Sequence, residues 1–352
     1  MATMRRRPVN ITDVATRAGV SVGTASKALN GRGQLREETR IRVRAAAEEL
    51  SFVPNAAAQS LHTGRTFTVG VITTDSYGRF SIPVMRGAED ALGMGQIAAF
   101  LCDSRDDVIR EQHYLGTLLS RRVDGIIVAG RRTDARPPLG HDIPVPVVYA
   151  FAPSQDPADS SVASDEGQGV REAINHLVMT GRRRIAHVTG PRDHASAEHR
   201  AESARAAAAE HGLELLGDVW FGGWSQAWGR FAAASVLKAH PDVDAIFCGS
   251  DVIAAGVAEG LREAGCRVPE EIAIVGVDNW KIVAEATRPP LTTIDLNLEE
   301  IGRKAGELLL AAIDGRTAPG IHWVPCSLVV RESSAPASPS RQTFTRRISM
   351  GR

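Results

Sequence analysis

At 352 residues, with 43% hydrophobic side chains and a formal net charge of zero, the chain exceeds one typical domain and has an ordinary globular composition. No apolar run approaches the roughly 20 residues of a membrane helix, and Met1-Ala-Thr-Met-Arg-Arg-Arg7 leads into no signal-peptide core, so no membrane is expected and the cytoplasm is. The zero balance hides an asymmetry: residues 1–66 hold 11 Lys and Arg against 5 Asp and Glu, and residues 334–352 hold 4 against none, leaving an acidic middle suited to polyanion binding at one end only.

Residues 11–30 hold two short helical patterns broken at Gly19-Val20-Ser21. Thr12 is the expected cap of the first, whose Val14, Ala15 and Ala18 share a face. Gly19 supplies the φ > 0 backbone where that helix stops, and Ser21 caps the next, about Val22 to Asn30. A third helix, with Ile41, Val43, Ala46, Ala47 and Leu50, closes a small core on Ala25, Ala28 and Leu29. This is a helix-turn-helix, a pattern that many buried αα-hairpins share. In its DNA-binding geometry the second helix lies in the major groove, so Thr12, Ser21, Val22, Thr24, Ser26, Lys27 and Asn30 become DNA-contact candidates. Beyond Pro54 comes a short Ala-rich helix with one large apolar residue, Leu61. One or two isolated turns are unstable in water, so this hinge should fold only on a partner. Leu61 would then wedge into the minor groove, with Asn55 and Ala58 beside it.

Four motifs in order, Ile-Thr-Asp-Val-Ala at 11–15, Ala-Gly-Val-Ser at 18–21, Glu-Thr-Arg at 38–40 and Pro-Asn-Ala-Ala-Ala-Gln-Ser-Leu at 54–61, closely resemble the LacI/GalR family of bacterial transcription regulators. The resemblance covers residues 9 to about 333. It implies a homodimeric repressor on a pseudo-palindromic double-stranded DNA operator, its affinity set by a small-molecule effector, a sugar, held between two lobes. No cofactor is implied.

From Phe67 short apolar runs alternate with amphipathic helices, the pattern of parallel sheets. Strands are expected at Thr68–Ile72, Ala98–Cys102, Gly125–Ala129 and Val145–Tyr149, with helices about Pro83–Leu92 and Ile109–Arg121. A second set starts with a helix from Asp165 to Thr180. Strands Arg184–Thr189, Val219–Phe221, Asp244–Cys248 and Ile272–Val277 follow, between helices about Ala197–Glu210, Gln226–Ala239 and Ile253–Ala264. A helix ending near Ile313 and a strand pair near Ile321–Arg331 complete the pattern. The expected fold is an all-α helix-turn-helix head (9–53), a hinge helix and linker (54–66) and a two-lobed, periplasmic-binding-protein-like α/β domain of doubly wound parallel sheets (67–333). The resemblance makes both lobes discontinuous, the first about 67–164 and 295–320, the second about 165–294 and 321–333. The Ser-, Pro- and Arg-rich stretch 334–352 reads as a disordered tail.

Open parallel sheets bind ligands beyond the carboxyl ends of their strands. The candidates there are Asp75, Phe80, Tyr149, Arg200, Trp224, Ser250, Asp251 and Asp278. A sugar needs planar donors, carboxylates accepting from its hydroxyls and an aromatic face, which Arg200, Asp278 and Trp224 supply. The resemblance assigns those same three, through Ser196-Ala-x-x-Arg200, Gly223-Trp224 and Val275-Gly-Val-Asp278-Asn. Core packing is the alternative for Trp224, a structural salt bridge for Arg200 and Asp278, and a helix cap for Asp251.

Four positions depart from the family. Val22 and Gly23 open the recognition helix, and neither offers a polar side chain for base reading. Arg36 stands where a Ser or Thr cap is usual, and His62 follows Leu61 where a Lys or Arg is common. An enzyme is not expected. Gly93-Met-Gly-Gln-Ile-Ala98 matches a dinucleotide motif, but it follows a helix and precedes a strand, the reverse of the required order. The widely spaced Cys102, Cys248, Cys266 and Cys326 indicate reduced thiols, with no metal site. Other readings are a two-lobed sugar-binding protein without operator binding and a nucleobase-responsive regulator.

Overall fold

The computed structural model describes residues 9–29, 34–52, 64–94, 97–140 and 142–335. The chain forms two compact units that divide between Thr68 and Val69.

In the first unit, helices α1 (Ile11–Ala18), α2 (Val22–Leu29) and α3 (Glu37–Glu49) enclose Val14, Ala15, Ala18, Ala25, Ala28, Val43, Ala46 and Ala47. The cap of α1 is Asn10, not Thr12. Its side chain accepts from the Thr12 and Asp13 amides while the Asp13 carboxylate accepts from the Asn10 amide, a reciprocal box that outcompetes a cap two residues later. Gly19 takes φ 64° and ends α1, and the Ser21 hydroxyl accepts the Thr24 amide at 3.1 Å, both as expected. Ile41 does not join the core; it is 61% exposed, because α3 turns Val43, Ala46 and Ala47 inward and Ile41 away from them. Arg36 makes no side-chain cap.

The second unit contains two six-stranded sheets. The first lobe runs β1 (Thr68–Thr73), α4 (Ser81–Met94), β2 (Ala98–Asp103), α5 (Val108–Ser120), β3 (Gly125–Ala129), β4 (Val147–Ala150) and β5 (Ser160–Asp165). The second runs α6 (Glu166–Met179), β6 (Ile185–Thr189), α7 (Ala195–Glu210), β7 (Trp220–Phe221), α8 (Gln226–Ala239), β8 (Ala245–Cys248), α9 (Asp251–Glu263), β9 (Ala273–Val277), α10 (Lys281–Ala284) and β10 (Thr292–Asp295). The chain then returns to the first lobe as α11 (Leu298–Ile313) and β11 (Gly320–Pro325), and crosses once more to place β12 (Ser327–Val329) on the second. Strand orders are β11-β5-β4-β3-β1-β2 and β12-β10-β9-β8-β6-β7.

Three differences from the sequence reading stand out. Strand β5 was not anticipated, since Ser160-Ser-Val-Ala-Ser-Asp165 carries little apolar signal. Its serines are satisfied by backbone: Ser160 donates to the Ala318 carbonyl and Ser164 to that of Leu296. The expected terminal strand pair is no pair, because β11 runs parallel to β5 in the first sheet and β12 antiparallel to β10 in the second. The final lobe change therefore falls at Cys326 and not at 321. Finally, Ser334 is 1% exposed and bonds Thr292 and His176, so the tail cannot begin there. No helix among the described residues is long and apolar enough to cross a membrane.

Candidate functional site

On the first unit, α2 buries Ala25 and Ala28 and leaves the opposite face open. Val22 is 43% exposed and Lys27 also faces outward. Thr24 is tied to Ser21 through both its amide and its hydroxyl, which fixes the start of the helix. Thr12 is exposed at the first turn of α1, and Ser26 is half-buried. Asn30, Asn55, Ala58, Leu61 and His62 lie outside the described residues.

In the second unit, loops at the carboxyl ends of both sheets enclose a cavity of about 720 Å³. Asp75, Phe80, Arg200, Trp224, Ser250 and Asp278 all line it. Arg200, on α7, is buried and gripped by Glu166 at the start of α6: Nη2 donates to Oε1 at 2.7 Å and Nε to Oε2 at 3.1 Å. Its third donor meets the Gly249 carbonyl. Such a pair, with both side chains 5% exposed, costs several kcal/mol to break on one side, so Arg200 is held rigidly in the cavity wall. Trp224 donates its indole N–H to Nδ1 of His194 at 2.8 Å. One face of its ring lies on Gly190, where any side chain would come within 2.1 Å of the indole.

Asp278 sits at the end of β9 with φ 109°, followed by Asn279 at φ 47°. Backbone held there costs of order 1–3 kcal/mol for a residue other than glycine, and such strain gathers at ligand clamps. Burial raises the pKa of Asp278, against the pull of the Arg79 and Arg200 guanidiniums. Arg79 reaches across from the first lobe to the Asp278 carboxylate. Asp251 lies behind, accepting the Trp280 amide at 2.7 Å and the Thr293 hydroxyl. Burial, with the Asp278 charge second, lifts its carboxyl to about 8.

Two candidates serve structure as well as lining the cavity. Asp75 accepts the Phe80 and Ser81 amides and so anchors the start of α4. Ser250, not Asp251, caps α9 through the Ile253 amide. Tyr149 does not reach the cavity. It is 1% exposed, packs with Ile72, Leu115 and Leu118, and accepts the Leu139 amide at 2.7 Å on its hydroxyl. The aromatic that β4 sends to the cleft is Phe151, just past the strand, where φ 71° turns the chain; its ring stacks on Phe80 at 5.0 Å. Sequence reasoning also missed Arg79, Glu166, His194 and Trp280. Glu166 had one visible signal, an acidic residue opening a helix. No group of three His, Cys, Asp or Glu that could hold a metal occurs among the described residues.

Comparison with known proteins gives two family matches: bacterial regulatory proteins of the lacI family over residues 10–55, and a periplasmic binding protein-like domain over 174–334. The HTH-type transcriptional regulator CelR of Thermobifida fusca is 35% identical over 340 residues, covering 94% of this chain and 99% of that protein. The ribose operon repressor of Escherichia coli K12 is 34% identical over 324 residues, covering 89% and 93%. Among solved structures, the CelR–cellobiose complex matches with a TM-score of 0.66 at 33% identity, covering 93% of this chain and 100% of that one. The lac repressor dimer bound to operator and the anti-inducer ONPF matches at 0.71 and 26% identity, covering 93% and 99%.

Proposed function

The chain belongs to the lacI family of bacterial regulatory proteins, and from that premise we propose that it is a transcriptional repressor whose operator affinity is set by a neutral sugar captured between its two lobes. One observation carries the sugar reading: a single cavity gathers a fixed guanidinium on Arg200, a carboxylate on Asp278, and aromatic rings at Trp224, Trp280, Phe80 and Phe151. Hydroxyls need the first two, and the C–H faces of a pyranose need the third. The charges in that wall are largely paired within the protein, Arg200 with Glu166 and Arg79 with Asp278, which suits an uncharged ligand. The room available fits more than one sugar ring, and cellobiose, the ligand named in the CelR complex, is the first probe to try.

In this reading the protein is a cytoplasmic homodimer, so that two heads address a pseudo-palindromic operator. It performs no chemistry on the effector. Thr12, Ser21, Val22, Thr24, Ser26, Lys27 and Asn30 face the major groove, and Asn55, Ala58 and Leu61 belong to the minor-groove contact.

The test couples two titrations. Fluorescence anisotropy on DNA from upstream of its own gene should show salt-steep binding, as phosphate contacts require. Cellobiose should shift that affinity about 5- to 150-fold, the usual span of an allosteric coupling. Trp224→Ala should weaken the sugar response at least about tenfold while leaving effector-free operator binding unchanged. Operator affinity no better than that for random duplex would defeat the repressor reading; an unmoved response in Trp224→Ala would defeat the site.

A further inference from the structure

Asp278 is the cavity carboxylate that sugar chemistry most needs, yet its side chain is already occupied. The guanidinium of Arg79 bonds it from the opposite lobe, with the two side chains 19% and 6% exposed. That guanidinium also lies over two rings: its centre is 4.9 Å from the Phe80 ring and 4.7 Å from the Trp280 ring, one aromatic from each lobe. Its Nε is buried with no hydrogen-bond partner. The backbone on both sides is shaped for the meeting. Gly78, at φ 73°, turns the β1–α4 loop immediately before Arg79, and Asp278 holds φ 109° at the end of β9. A planar, polar-edged group lying over two rings with a donor on a carboxylate is the arrangement a bound sugar ring would make.

We infer that Arg79 is a built-in occupant of the effector site, a resident guanidinium that holds the lobes together when no ligand is bound. The inference rests on the cavity being the effector site, and it deepens that reading. A second bridge marks the same closure elsewhere: Asp134, in the loop after β3 of the first lobe, accepts the Ala195 amide at 3.1 Å at the start of α7 in the second. His194, the residue before α7, supplies no side-chain cap, so this amide depends on the opposite lobe for its partner. A ligand that is to use Asp278 must displace Arg79. The energy of that pair is then subtracted from the affinity of every effector, and ligands too small to replace both its hydrogen bond to Asp278 and its two ring contacts are selected against.

The Ala195 amide gives a readout that involves no effector. Amide hydrogen exchange on the ligand-free full-length protein should show Ala195 exchanging about tenfold faster or more in Arg79→Ala, and likewise in Asp278→Asn, with the Ala245–Cys248 amides of β8 unchanged. The double variant should be no faster than either single one, because both remove the same interaction. Millimolar methylguanidinium should restore the slow rate in Arg79→Ala by refilling the seat over the rings, whereas methylammonium, lacking the planar face, should not. Unchanged exchange at Ala195 in both single variants overturns the proposal. So do additive acceleration in the double variant and equal acceleration across β8, which would mean general loosening. Failure of cellobiose to bind would count against the sugar reading alone, since no arm of this experiment contains a sugar.

Discussion

Asp251 and His187 set opposite limits on the pH range in which the second lobe is stable. Asp251, fully buried, is lifted to about 8 by burial first and by the Asp278 charge second. The folded state therefore keeps a proton that the unfolded chain releases near pH 4, and stability falls as pH rises from about 4 to about 8. His187 is 1% exposed, donates through Nδ1 to the Phe247 carbonyl and leaves Nε2 buried without a partner; burial lowers it to about 4. Here the unfolded chain takes up the proton first, so stability is lost as pH falls from about 6.5 to about 4, by roughly 3 kcal/mol in all. Between about pH 4.5 and 6.5 the two slopes oppose and cancel, so melting temperatures should hold level there and fall from about 6.5 to 8.5; Asp251→Asn should leave a rise up to about 6.5 and no alkaline fall, and His187→Gln a fall across the whole range. An alkaline limb that stays as steep in Asp251→Asn would remove the carboxylate from this account. Residue chemistry of this kind was only partly legible in the sequence. Arg200, Trp224 and Asp278 carried motifs, so their place in the cavity could be anticipated. Tyr149 was misplaced because β4 is buried on both faces, which erases the alternation that would show which way a side chain points. Glu166 and Arg79 were missed because a partner 34 or 199 residues away leaves no local pattern.

At the scale of elements, one contact in the first lobe is set by backbone approach. Helices α4 and α11 touch through facing glycines: a Cβ on Gly87 would sit 1.8 Å from the Glu299 carbonyl oxygen, and one on Gly302 1.8 Å from that of Val84. Neither obstacle is a movable side chain, so Gly302→Ala must push the helices apart. The cost is expected to be about 1–3 kcal/mol, more than the roughly 1 kcal/mol that alanine gains in helix propensity. Gly116, exposed on α5 with open space around its Cβ position, should respond in the opposite sense, Gly116→Ala raising stability by about 0.5–1 kcal/mol. Denaturation midpoints of the two variants decide this, and equal shifts of the same sign would show that close approach is not what Gly302 serves. Most elements were readable because their apolar periodicity is local. Strand β5 was not, since hydroxyls bonded to distant backbone replace the apolar signal there, and the lobe assignment of β11 depends on a parallel partner far away in sequence.

Over the whole molecule, large apolar side chains remain uncovered on both lobes. Strand β2 forms an edge of the first sheet with Phe100 46% and Leu101 49% exposed, while Ile282 on α10 and Phe231 on α8 are 76% and 64% exposed on the second. A bare edge strand carrying apolar residues invites uncontrolled pairing unless something covers it, and the proposed second copy would supply that cover. If these residues bury against the partner, placing a charge at Ile282 leaves it unpaired and desolvated in the dimer but harmless in the monomer. Ile282→Glu should then shift the chain toward monomer in sedimentation equilibrium without lowering the melting temperature of the monomer itself. Two heads joined by the body bind two half-sites with the second event intramolecular, worth about 10²- to 10⁴-fold in avidity. Operator affinity at low protein concentration should fall within that range in Ile282→Glu and recover as the concentration approaches the dimerisation constant. A variant that stays dimeric would remove α10 from the interface, and Leu101→Lys on β2 then tests the other lobe. A monomer that binds operator as tightly as wild type would instead mean that one head suffices, and the case for a palindromic site would go with it.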